Sequence, residues 1–162
     1  MQLFQPPLRV QRGFTILELL IALVILGLIM AMGLPSFRSA SARSALSAST
    51  MDLIAAINAS RAQAVSYRST VTLAATDGSA WTNGWNVSIP APHDNENQSF
   101  KARENITIVT SGGQTTMNFN RDGTTSAQLV FRVCHDNLTG ETGRQITVNR
   151  LGRMTNEDFT CS

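Results

Sequence analysis

The hydrophobic rhythm of the chain changes twice along its length. From Phe14 to Leu34 the sequence is almost wholly apolar, 21 residues in which Glu18 is the only charged side chain. Roughly 20 apolar residues suffice to cross a bilayer as a helix, so residues 14–35 read as a membrane-spanning helix. From 36 to 68 the apolar positions thin to a stripe. Leu46, Leu53, Ile57 and Ala64 fall at steps of seven, four and seven, with Ile54 and Val65 beside them. That is helical period with one apolar face, so an amphipathic continuation of the same helix is expected. A helix from Phe14 to about Tyr67 would be roughly 80 Å long. Gly27, Gly33 and Pro35 interrupt good helix formers, and a kink is expected there because proline removes a helical hydrogen bond.

After Tyr67 the period shortens to two. Ser69–Ala75, Trp85–Ile89, Asn105–Val109, Thr116–Phe119, Leu129–Cys134 and Gln145–Asn149 read as strands. Asp77-Gly78, Asn83-Gly84, Gly112-Gly113 and Asp122-Gly123 read as turns between them. Residues 90–99 are polar and broken by proline, and are expected to form an exposed loop. Trp81 and Trp85 read as packing in the core or on a sheet face. The fold class is then α+β: a long N-terminal helix packed on an antiparallel β-sheet head, with residues 69–162 as one globular unit. Residues 36–162 suffice for one domain with a core.

Charge narrows the chemistry. The formal net charge is +2, and the first thirteen residues hold Arg9 and Arg12 and no acid. A basic N-terminal flank keeps that end cytoplasmic and sends the remainder across the membrane. Without residues 1–13 the basic and acidic side chains balance at 11 each, unlike a strongly basic nucleic-acid binder. Glu18 is the anomaly. A charge at mid-span costs about 2.5–3.5 kcal/mol, and an intramembrane acid is read as functional, with a partner to be named. If the chain were cut after Gly13, Phe14 would carry a new α-amine, and Glu18 could pair with that amine on a neighbouring copy or relative. A secretory signal peptide fits poorly, since its apolar region is about 7–15 residues and its cleavage site follows that region.

Cys134 and Cys161 lie in the exported part, where oxidation is allowed, and are expected to form a disulfide. No metal site or cofactor is expected. CxxC spacing is absent, and His135 has no second ligand at a suitable spacing. The oxygen cluster Asp94-Asn95-Glu96-Asn97 reads as a solvated loop. No phosphate loop, HExxH or serine elbow is present, so the chain does not read as an enzyme.

Gly13-Phe14 followed by Glu18 and the apolar run resembles the N-terminus of type IV prepilins and type II secretion pseudopilins. The resemblance implies a leader peptide of residues 1–13, cleavage between Gly13 and Phe14 by a prepilin peptidase, and N-methylation of Phe14. It gives Glu18 an assembly role and makes Gly27 and Pro35 the bounds of a segment that unwinds in the filament. Trp81-Thr-Asn-Gly84-Trp85-Asn-Val, Met117-Asn-Phe119 leading to Gly123, and Gly143-Arg144 with Gly152-Arg153 resemble the GspH/FimT family, which includes the FimU and FimT minor pilins. With the leader, the likeness covers most of residues 13–161. It implies a minor type IV pilin that helps prime pilus assembly and enters the filament at or near its tip. Its partners would be other minor pilins, the major pilin, the prepilin peptidase and the inner-membrane assembly platform. It would sit in the bacterial inner membrane with a periplasmic head, then in the surface pilus. A GspH-type pseudopilin of a type II secretion system is the alternative. DNA uptake is a third reading. Some relatives bind DNA through a C-terminal Gly-Arg-x-Arg motif; here Thr155 replaces the second arginine. Arg144, Arg150 and Arg153 would then form a weak, salt-sensitive patch.

Overall fold

The computed structural model describes residues 14–138, 140 and 142–161, with the side chains of 31–36 left aside. Its two compact units meet in sequence at Arg38 and Ser39. A single helix, α1, runs Ile16–Tyr67 and crosses that point. It starts at a threonine cap: the Glu18 N–H donates to Thr15 Oγ1 at 3.2 Å and the Leu19 N–H to the Thr15 carbonyl at 3.2 Å. It stops at Arg68, whose φ of 49° lies in the left-handed region. The Ser69 N–H then closes back on the Ala64 carbonyl at 3.2 Å, a helix-ending Schellman bond.

From Ala42 onward, α1 buries one stripe. Ala42, Leu46, Leu53, Ala56, Ile57 and Ala64 are all buried, at the three-and-four spacing of a helix face. Two of the buried polar residues bond back to the helix itself, while the Ser49 hydroxyl, also buried, has no partner among the described residues. Thr50 Oγ1 donates to the Leu46 carbonyl at 2.8 Å, and Ser60 Oγ to the Ala56 carbonyl at 2.7 Å.

The strands form two four-stranded sheets. The first contains β1 (Val71–Ala75), β2 (Trp85–Ser88), β3 (Gln98–Phe100) and β5 (Thr116–Phe119) in the order β3-β2-β1-β5. The second contains β4 (Ile106–Thr110), β6 (Leu129–His135), β7 (Thr142–Val148) and β8 (Met154–Thr160) in the order β4-β6-β7-β8. All pairings are antiparallel. Inward positions alternate along each main strand: Val71 and Leu73, Trp85 and Val87, Phe131 and Val133, Ile146 and Val148. They join the α1 stripe in one core. Trp81 and Trp85 are core residues. Trp81 meets Phe131 edge-on at 4.9 Å and donates its indole N–H to the Gln114 carbonyl at 2.8 Å.

Three features depart from the sequence reading. The head has two sheets rather than one. β3 lies at the end of the stretch expected to be loop. β8 was absent from the expected strands because its sequence, Met-Thr-Asn-Glu-Asp-Phe-Thr, carries no apolar alternation. It is an edge strand with both faces largely exposed, and β7 and a tight hairpin hold it in register.

Two glycines are demanded by close approach. Gly143 on β7 lies beneath the Cys134–Cys161 disulfide, and a Cβ there would sit 2.3 Å from Cys161 Sγ and 2.6 Å from the Val133 carbonyl. Gly152, in the β7–β8 hairpin, has φ of 69°, and a Cβ would meet the Gly123 carbonyl at 2.1 Å and Arg61 Nε at 2.8 Å. Gly143→Ala and Gly152→Ala should each cost about 2 kcal/mol or more, the range of overpacked interior sites. Urea unfolding of the detergent-solubilised chain is the check; unchanged midpoints would contradict this packing. Breaking the disulfide, whose cysteines lie 27 apart in sequence, should remove about 3–4 kcal/mol in the chain-entropy view, seen as a lower melting temperature in dithiothreitol.

Candidate functional site

At its N-terminal end α1 presents apolar side chains to its surroundings on every face. Phe14 is 82% exposed, and Ile16, Leu17, Leu20, Val24 and Ile29 are all more than half exposed. A helix that is apolar all round requires a lipid or protein covering. Among the described residues, no helix is long and apolar enough to cross a membrane. Within the expected span the described side chains end at Met30, and those that follow, Pro35 included, lie outside them. Gly13 and the expected leader also lie outside the described residues. Gly27 is within α1, and a Cβ there would meet nothing within 4 Å.

Glu18 sits in the first turn of this helix. Thr15 and Glu18 have the spacing of a capping box, in which the threonine hydroxyl accepts from the N–H three residues on. A carboxylate in that turn also faces the positive end of the helix dipole. Glu18 therefore has a local role in starting the helix. Sequence reasoning focused on its charge and passed over the Thr-x-x-Glu pattern that signals this role. Among the described residues no cation pairs with it, so its carboxylate can still take a partner from another chain.

The second half of α1 also leaves a face uncovered. Opposite the buried stripe lie Ser44, Met51, Ala55, Asn58, Ala62 and Val65, exposed at helical spacing. They are mostly small or apolar, and small side chains let another helix approach closely.

The three arginines grouped by sequence reasoning do not act as one patch. Arg144 is paired with Asp158 on β8, at 2.5 Å. It lies six residues from Arg150 along the chain, roughly 20 Å at strand rise. Arg150 and Arg153 flank the β7–β8 hairpin, where the Asn149 side chain accepts from the Leu151 and Arg153 N–H groups, each at 3.0 Å. That hairpin packs on the loop after β5. The Thr125 N–H donates to the Arg150 carbonyl at 2.9 Å, and Arg61 of α1 donates through Nε to the Gly123 carbonyl at 3.2 Å. The structure therefore brings Arg61 to the loop on which the hairpin packs and keeps Arg144 apart from it. Within those loops Asp122 is the one acid. Its carboxyl is held below the usual range by the hydroxyl and N–H of Thr124. Arg61 was missed because nothing in the helix pattern marks which exposed residue will reach a distant loop. Among the described residues no group of histidines, cysteines and acids is placed to hold a metal.

The family model for type II transport protein GspH matches residues 49–152. The prokaryotic N-terminal methylation motif matches residues 8–34. No curated protein matches the chain. Two crystal structures of the Pseudomonas aeruginosa type IV minor pilin FimU share the fold. One aligns at 20% identity and TM-score 0.60, covering 71% of this chain and 90% of that one. The other crystal form aligns at 20% identity and TM-score 0.57, covering 68% and 91%. With the GspH match spanning more than half of its length and the methylation motif at its start, the chain belongs to the GspH family, as a pilin of the GspH/FimT type.

Proposed function

We propose that this chain is a minor pilin that primes filament assembly and is incorporated into the filament near its tip. The observation that carries the reading is the N-terminal helix, apolar on every side, with a carboxylate in its first turn that pairs with no cation among the described residues, within the methylation motif. Such a helix buries its surface first in lipid and then among the helices of neighbouring subunits. Cleavage between Gly13 and Phe14 supplies an α-amine, which methylation leaves basic. Glu18 of one subunit then meets the amine of the next, which sets the axial register between them. The uncovered Met51–Val65 face of α1 extends that packing into the head. The partners are other minor pilins, the major pilin, the prepilin peptidase and the membrane assembly platform, and the head lies in the periplasm before assembly.

A second reading has its own support. The arginines of the β7–β8 hairpin, with Arg61 reaching the loop it packs on, give one end of the head an excess of positive charge, which suits a polyanion such as DNA. The assembly of a type II secretion pseudopilus would use the same helix physics, and the GspH match keeps that machine in view.

Gly13→Leu should leave an uncleaved precursor in the membrane. Glu18→Ala should be cleaved normally but recovered several-fold less in sheared filaments, since a pairing across helices is lost. Immunoblots of membrane and sheared fractions read both; wild-type recovery of the Glu18 variant would remove the pairing role. For the DNA reading, the detergent-solubilised chain should retard duplex DNA at low salt. The combined Arg150→Ala and Arg153→Ala variant should lower the salt slope by about two, one for each phosphate contact. Absence of any retardation would discard that reading.

A further inference from the structure

The outer face of the second sheet, opposite the α1 stripe, carries a groove that assembly through α1 leaves unused. Its volume is about 490 Å³. The floor follows from strand alternation. Phe131 and Val133 point to the core, so Arg132 and Cys134 of β6 point outward. In the register β4 places Val109 beside Arg132 and Thr107 beside Cys134. On β7 the position opposite Cys134 and next to Phe159 is Gly143, which has no side chain. A Cβ there would meet Cys161 Sγ at 2.3 Å, so the disulfide lies over Gly143 and forms one wall of the groove, with Phe159 beyond it.

Arg132 is already held in place. Its guanidinium lies 4.8 Å from the centre of the Phe159 ring, and its Nε donates to Gln145 Oε1 at 3.4 Å. Among the described residues it forms no ion pair. Glu157 shares its transverse row, but two strands away, roughly 10 Å between Cα atoms. Asp136 lies at the far end of the groove, roughly 13 Å along β6, where it accepts from Thr107 Oγ1 at 2.9 Å. The terminal nitrogens of an arginine fixed by stacking form a fork matched to a carboxylate. Beside the fork, Val109 is 52% exposed, and the disulfide adds a second apolar wall. The length from Arg132 to Asp136 equals about four residues of extended chain.

We propose that this groove is a docking site for an extended segment of a neighbouring pilin subunit that presents an aspartate or glutamate to Arg132. The inference rests on the assembly reading above and names a head-to-head contact within it. Charge complementarity selects the occupant: the groove offers a positioned cation and apolar walls, and among the described residues no acid forms an ion pair with that cation. An aliphatic residue next to the partner's acid would cover Val109 and the disulfide.

A photo-crosslinking amino acid at Val109, in the full chain expressed with its assembly machinery, tests the site. A second probe at Leu20 reports helix packing independently. The expected result is a crosslink from position 109 to another pilin, mapped by mass spectrometry to a segment containing Asp or Glu. Its yield should fall roughly ten-fold in Arg132→Gln, the scale of one charge-assisted contact, and fall less in Arg132→Lys, which keeps the charge but loses the fork and the stacking on Phe159. Crosslinks at Leu20 with none at 109 would overturn the docking site and leave the pilin reading standing. Loss of both would overturn the pilin reading itself. A crosslink mapping to a segment without an acid, or one indifferent to Arg132→Gln, would also overturn the proposal. Because Arg132 is exposed, its variants should melt within a few degrees of the parent.

Discussion

One face of α1, from Ala42 to Ala64, is the surface on which both sheets are built. Neither sheet has a second layer of its own on its inner side. Each buries its alternating residues against the same helix stripe and against the other sheet's edge of the core. Leu53 and Ile57 are fully or almost fully buried and sit among Val71, Phe119 and Phe131 in one cluster. A polar residue at Leu53 would therefore weaken both sheets together. The same helix leaves its opposite face bare and its N-terminal end apolar all round. A single element thus serves as scaffold for the head and carries the surfaces that the proposed assembly would use.

Much of this was legible because it is periodic. The seven-four-seven spacing of Leu46, Leu53, Ile57 and Ala64 marked the buried stripe before any coordinates. The alternation in β1, β2, β6 and β7 marked strands buried on one side. What could not be read was held in place by context rather than by pattern. β8 carries Asn156, Glu157 and Asp158 in succession and is a strand only because its hairpin returns it beside β7. β3 is three residues long, too short for a period to show. The division into two sheets depends on which edges meet, and local sequence carries little of that.

The site divides in the same way. Phe14 and Glu18 could be singled out from sequence because a lone acid in an apolar run is improbable without a reason. The cap at Thr15 adds a second reason of a different kind. Starting the helix requires an acceptor for its free N–H groups, and the acid in the first turn lies where the dipole favours it. The carboxylate therefore costs less at the end of a helix than at its centre, so the proposed pairing between chains and the start of the helix can share one residue.

The two Gly-Arg pairs show how identical dipeptides can serve different physics. In Gly143-Arg144 the glycine makes room for a disulfide, and the arginine is neutralised by Asp158 across the β7–β8 ladder. In Gly152-Arg153 the glycine turns the hairpin against Gly123, and the arginine stays outside at the tip, among other cations. Sequence alone put Arg144 and Arg153 in one patch because it shows likeness and not register. Register puts Arg144 at the third pair of the ladder and Arg153 just past its far end, where Val148 meets Met154. The charge available to a polyanion is therefore concentrated at the hairpin tip, while the sheet face beneath the disulfide is left to Arg132 alone. A nearly neutral chain can in this way present two separate cationic features, one shaped for a diffuse field and one for a single carboxylate.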